Sequence, residues 1–130
     1  MSGANQARET IRAFWNVMFQ ERDPQRAHDE LLGATYTQHN PDVPDGKEGF
    51  ITLFPQMLAA LPDFSSEIKR IVVEGDHAVV HHHFRMTADP ADLGSACVDI
   101  FRFDTDGRIV EHWDVIQPVP AEAANGNTMF

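Results

Sequence analysis

Seven histidines and twenty acidic residues supply groups for acid–base chemistry, and a few short stretches gather them at suggestive spacing. In Glu111-His112-Trp113-Asp114-Val115-Ile116-Gln117-Pro118 a carboxylate follows an imidazole two residues on. On a strand, His112 and Asp114 then share one face, and Glu111 and Trp113 share the other. If the first face lines a cavity, the pair can take and return a proton; on a solvated face it is an ordinary ion pair. Within 95–103, Asp99 has the parity of Cys97, Phe101 and Phe103. Carboxylates are rarely buried among aromatic rings unless paired or used. A hairpin can bring Asp99 near His112 or Asp114, and two carboxylates close together would raise one pKa and leave a shared proton. His81 and His83 fall on one strand face and are open to three readings. They could line a pocket for a carbonyl-bearing ligand, lie in solvent, or bind a metal with a third ligand from His39, His112, Asp99 or Asp114.

The elements that must position these residues follow from periodicity. Ile11, Phe14, Trp15 and Met18 predict an amphipathic helix over 5–20, capped by Asn5. Asp23-Pro24 opens a short helix over 25–32, stopped by Gly33. Tyr36 and His39 fit a short extended piece, and 40–46, with two prolines and a glycine, is a shaped loop. A third helix spans 47–61, with Pro55 inside it. From Phe64 the period changes to two, and strands are expected at 67–73, 77–87, 95–103 and 108–117. The turn Asp104-Thr105-Asp106-Gly107 joins the last two. Three helices followed by a four-stranded antiparallel meander make an α+β layering, with a cavity between sheet and helices. Phe14, Trp15, Phe54, Phe101 and Trp113 are candidate walls, although Trp113 has the wrong parity and fits a dimer interface as well.

The chain of 130 residues is long enough for one domain, read as 1–130 with 118–130 a surface tail whose last residues, Met129 and Phe130, are apolar enough to dock. A formal net charge of −10, with ten scattered Lys and Arg, lacks the basic stripe of a nucleic-acid protein. No apolar run is long enough for a membrane span, and the N-terminus does not read as a signal peptide, so a cytoplasmic protein is expected. The single Cys97 excludes an intrachain disulfide and a cysteine-cluster metal site.

Taken in order, Tyr36-Thr37-Gln38-His39-Asn40-Pro41, Gly46-Lys47-Glu48-Gly49-Phe50, Val98-Asp99-Ile100-Phe101-Arg102 and Gly107-Arg108-Ile109-Val110-Glu111-His112-Trp113-Asp114 resemble the SnoaL-like polyketide cyclase family. That family lies within the nuclear-transport-factor-2-like (NTF2-like) superfamily. The segments at 38–41 and 111–118, with the tail, look most like its bacterial predicted aldol-condensation subgroup. The resemblance implies a cone-shaped, bent antiparallel sheet with helices, a homodimer, and aldol chemistry without cofactor or metal. It implies Asp114 as general base, with His112 matching the histidine before it and Asn40 the family's Asn-Pro segment. Where the cyclases place a second acid–base histidine, this chain has Asp99. The related epoxide hydrolases have an arginine two residues before their first aspartate, where this chain has Cys97.

The resulting expectation is acid–base catalysis on a small, mostly apolar carbonyl compound. Asp114 is the base, His112 its orienting partner, and Asp99, partly protonated, a donor or relay. His39 and Asn40 bind a carbonyl oxygen, with His81 and His83 as further lining. The rival readings are a non-catalytic ligand- or partner-binding module of the same fold and a histidine-ligated metal enzyme.

Overall fold

A computed structural model describes residues 3–130. Helix α1, Gly3–Trp15, buries Ala7, Ile11, Phe14 and Trp15 along one stripe. It runs on as a π-helical turn, Asn16–Gln20, which buries Val17 and Met18. Asn5 therefore lies inside the first turns of the helix and is not its cap. Helix α2, Pro24–Glu30, starts where Asp23-Pro24 predicts, with the Asp23 carboxylate accepting from the Arg26 N–H at 3.1 Å. Helix α3, Gly46–Ala60, begins at Asp45 and carries Pro55 within it.

Gly33 does not stop α2. The helix ends at Glu30, and Leu32–Gln38 forms strand β1. A Cβ at Gly33 would meet Val110 Cγ1 at 2.5 Å, so the glycine serves the close approach of two strands rather than a helix cap. Gly49 has a similar role in α3, where a Cβ would lie 2.0 Å from the Pro44 carbonyl oxygen. That contact presses the loop carrying Asn40, Asp42 and Val43 against the helix.

The expected meander is present as β2 (Ser65–Glu74), β3 (His77–Arg85), β4 (Ser95–Phe103) and β5 (Ile109–Pro118). Strand β1 adds a fifth member beside β5, and the order is β1-β5-β4-β3-β2. Because β1 runs parallel to β5, the sheet is mixed rather than wholly antiparallel. Register shifts at Ile68/Arg70, Arg102/Phe103 and Leu32/Thr37 interrupt the ladders and curve the sheet. The helices pack on its inner face, around Ile11, Met18, Leu32, Phe50, Val80 and Ile109. The tail turns back over the outer face, where the Phe130 ring lies 4.2 Å from that of His83 and 5.8 Å from that of His81. Among the described residues, no helix is long and apolar enough to cross a membrane.

Candidate functional site

Strand register assembles the site. Across β3, β4 and β5, three rows face the helices: Val80–Asp99–Asp114, His82–Cys97–Ile116 and Ala78–Phe101–His112. A cavity of about 310 Å³ lies between these rows and the helices. Its walls are aromatic and thioether groups, among them Phe14, Trp15, Met18, Phe50, Phe54 and Phe101. One side is polar, made by Gln38, Asn40, His82, Asp99, His112 and Asp114.

The polar side is a continuous hydrogen-bond network. Trp15 Nε1 donates to Ser66 Oγ at 2.9 Å, and Ser66 Oγ lies 2.7 Å from His82 Nδ1. His82 Nε2 donates to Asp99 Oδ2 at 2.7 Å. His112 Nε2 donates to Asp99 Oδ1 at 2.9 Å, and the Cys97 thiol approaches the same oxygen at 3.6 Å. On its other side, His112 Nδ1 lies 2.7 Å from Gln38 Oε1. That oxygen also accepts from the Asn40 backbone N–H at 2.9 Å, which fixes the orientation of the Gln38 amide. Both nitrogens of His112 thus face acceptors.

Asp99 and Asp114 sit in opposite circumstances. Burial pushes the Asp99 carboxyl upward, but hydrogen bonds from His112 and His82 and the charges of both rings outweigh it and bring it to about 2. Asp99 is therefore a committed acceptor, not a carboxyl sharing a proton with Asp114. Among the described residues, the Asn40 Nδ2 alone donates to Asp114, at 2.9 Å from each oxygen, with His112 Nε2 further off at 3.8 Å. Asp114 also lines the cavity.

A family comparison decides the kinship of this arrangement: the model of the SnoaL-like domain matches residues 5–112. The chain belongs to the SnoaL-like family. Solved structures agree with this SnoaL-like fold. TsrD from Streptomyces laurentii is 28% identical, with a TM-score of 0.69 over 86% of this chain and 88% of that one. An NTF2-like protein from Mesorhizobium loti is 25% identical, with a TM-score of 0.70 over 90% and 95%. A structure from Acidithiobacillus ferrooxidans, described as a candidate polyketide cyclase, is 24% identical, with a TM-score of 0.68 over 89% and 91%. No curated protein matches.

Of the residues that sequence reasoning selects for this SnoaL-like site, Asp114, His112, Asp99, Asn40, Phe14, Trp15, Phe54 and Phe101 meet at the cavity. Four do not. His39 lies on the outer face, stacked on Trp113 with ring centroids 4.8 Å apart. Its Nε2 pairs with Glu111 at 2.7 Å, and Arg102 binds the same carboxylate at 2.8 Å. Hydrogen bonds from His39 and Arg102 hold Glu111 below the usual carboxylate range. His81, His83 and Trp113 also point outward, because their parity is opposite to that of Val80, His82, Asp114 and His112. Asn40 stays at the cavity in a different role, because its amide nitrogen is engaged by Asp114 and is not free for a carbonyl oxygen.

His82, Gln38, Ser66 and Tyr36 complete the site and lie outside that selection. For His82 the sequence holds a signal, since it alternates with Val80 and Phe84 in the apolar set of its strand. For Gln38 and Ser66, nothing in composition distinguishes them from surface residues.

The histidine set proposed for a metal does not converge, since His81 and His83 face away from Asp99 and Asp114. Two other groups are compact: His82, Cys97 and Asp99, and Asp99, His112 and Asp114, each with ligand atoms within 4.8 Å of one another. Their donor types would suit zinc. No buried side-chain nitrogen or oxygen among the described residues lacks a hydrogen-bond partner, so the network needs no ion to satisfy it. Burial, with the Asp99 and Asp114 charges, pushes the Cys97 thiol up.

Proposed function

We propose that this protein is an acid–base enzyme that acts on a small, mostly apolar carbonyl compound by removing a proton from the carbon next to the carbonyl. The observation that carries this reading is the contrast between the two carboxylates: Asp99 is clamped between two imidazole donors, while Asp114, held by the neutral Asn40 amide alone, lines an aromatic-walled cavity. In the step, the C–H proton passes to an Asp114 oxygen. The bond's electron pair becomes the C=C of an enolate, and the carbonyl π pair moves to oxygen. The enolate carbon then attacks a second carbonyl, and Asp114 returns its proton to the new alkoxide. Alternatively, the proton returns at another carbon, which is isomerisation. Asp99 and His82 are positioning residues that hold His112 beside Asp114. The cavity is small for a ligand site, which favours compact substrates.

The test is α-proton exchange in D2O across a panel of small cyclic ketones and aryl ketones, followed by NMR. Protein-dependent loss of the α-proton signal is expected for at least one compound class. A panel that exchanges no faster than in buffer would leave the ligand-binding reading in its place.

A second copy of the chain is the proposed partner on the outer face. Register sets Val72, Val79, Ile100 and Trp113 in one apolar row across four strands, and Val115 in the adjacent row is 69% exposed. Such a row in an acidic, otherwise polar surface marks an association site. Light scattering after gel filtration should give twice the chain mass, and Val115→Lys should halve it. A parent protein that runs as a monomer would remove this assignment.

A further inference from the structure

Tyr36 is the one tyrosine of the chain. It sits on β1 with only 7% of its surface exposed and lines the cavity. Its ring packs edge-on against Phe50, with centroids 6.0 Å apart. The Gln38 Nε2 donates to its oxygen at 3.2 Å. The direction of that bond is settled, because Gln38 Oε1 is occupied by the Asn40 N–H and by His112 Nδ1. The phenol oxygen is therefore an acceptor towards Gln38, and its own hydrogen has no acceptor among the described residues. Buried phenols normally place that hydrogen on a partner. Here the remaining direction is the cavity.

We propose that Tyr36 is a catalytic residue whose hydroxyl donates a hydrogen bond to the carbonyl oxygen of the substrate as it becomes the enolate oxygen. The substrate is then a ketone or aldehyde whose oxygen sits at Tyr36 while its acidic carbon faces Asp114. No proton changes owner at Tyr36, which donates before and after the step. This rests on the reading of Asp114 as the base. Burial, with the charges of Asp99 and then Asp114 adding to it, pushes the phenol upward, so the group remains a neutral donor across the working pH range. Tyr36, Asp99 and Asp114 line the same cavity. Gln38 links the two functions, since one amide orients His112 and the Tyr36 oxygen together.

The experiment uses 4-nitrophenolate as a stand-in for the enolate and nitrobenzene as its uncharged counterpart. The host is Asp114→Asn, which mimics the base after it has taken its proton and removes the charge that would repel the anion. Adding Tyr36→Phe to this host should weaken 4-nitrophenolate binding by about 10- to 100-fold, as for a hydrogen bond to a charged group. Nitrobenzene affinity should stay within about twofold, below the scale of one such bond. Equal 4-nitrophenolate affinity with and without the hydroxyl overturns the proposal, and so does a host that does not bind the anion. A second readout needs no change at Tyr36. Labelling tyrosine at its ζ-carbon gives a single 13C resonance, which should move with 4-nitrophenolate and not with nitrobenzene. An unmoved resonance also overturns it. Failure of the base assignment is read separately. If Asp114→Asn still exchanges ketone α-protons while Tyr36→Phe loses the anion, the base is reassigned and the donor stands.

Discussion

Asp114→Asn is expected to slow α-proton exchange by about 10²- to 10⁴-fold, the usual contribution of a positioned general base. The substitution keeps the size and shape of the side chain and removes its basicity. Asn40 donates to both Asp114 oxygens at 2.9 Å. One of those contacts becomes amide against amide, so a small loss of stability is expected and a change of fold is not. Substrate affinity should change little, because the proton is taken only in the transition state and uniform binding is not at stake. The measurement is the exchange rate at saturating ketone, alongside a thermal melt of the same sample. Exchange at the parent rate would move the base elsewhere. Asp99 is the only other carboxylate in the row, and each of its oxygens is held by an imidazole nitrogen.

The second large effect belongs to Asp99 and concerns stability. Asp99→Ala leaves two buried imidazoles facing a void and should destabilise the fold by about 3–5 kcal/mol in urea unfolding. Asp99→Asn keeps an acceptor for one ring and should cost less. The acid side of the stability curve carries the same signature. The folded carboxyl is held at about 2 against an ordinary value of 3.8. The folded state therefore binds fewer protons than the unfolded chain between those values. The stabilisation is complete above about pH 4 and is lost as pH falls towards 2, an amount on the order of 2 kcal/mol. In Asp99→Asn that part of the acid dependence should disappear. Identical acid profiles for the two proteins would mean that Asp99 is not held ionised by its imidazoles.

How much of this is legible in the sequence depends on strand parity. The alternation in β4 and β5 is clean, so Asp99, His112 and Asp114 can be set on one face and read together. In β3 three consecutive histidines blur the pattern, and the pair at His81 and His83 draws attention away from His82. Only pairing with Cys97 and the apolar company of Val80 and Phe84 resolves that ambiguity. Strand β1 carries no usable signal. Its residues, Leu32-Gly33-Ala34-Thr35-Tyr36-Thr37-Gln38, do not alternate, and a parallel pairing with β5 is a contact across most of the chain. With β1 unread, Tyr36 and Gln38 have no face, and their part in the site cannot be inferred. The expectation for Asp99 fails for a related reason: proximity to Asp114 suggests a shared proton, but the two imidazoles between which it lies decide its charge.

The bond from Trp15 to Ser66 ties the first helix to the far edge of the sheet, and through His82 it reaches Asp99. The indole hydrogen can meet solvent only when helix α1 lifts from β2 and the aromatic packing around it opens. Its exchange rate is then a clock for breathing of the whole inner face. With two tryptophans in the chain, only two indole signals need be told apart. In the monomeric Val115→Lys variant, Trp113 on the outer face should exchange its hydrogen rapidly, while that of Trp15 should persist until the domain unfolds globally. Comparable rates for the two would mean that the helix leaves the sheet far more often than the molecule unfolds.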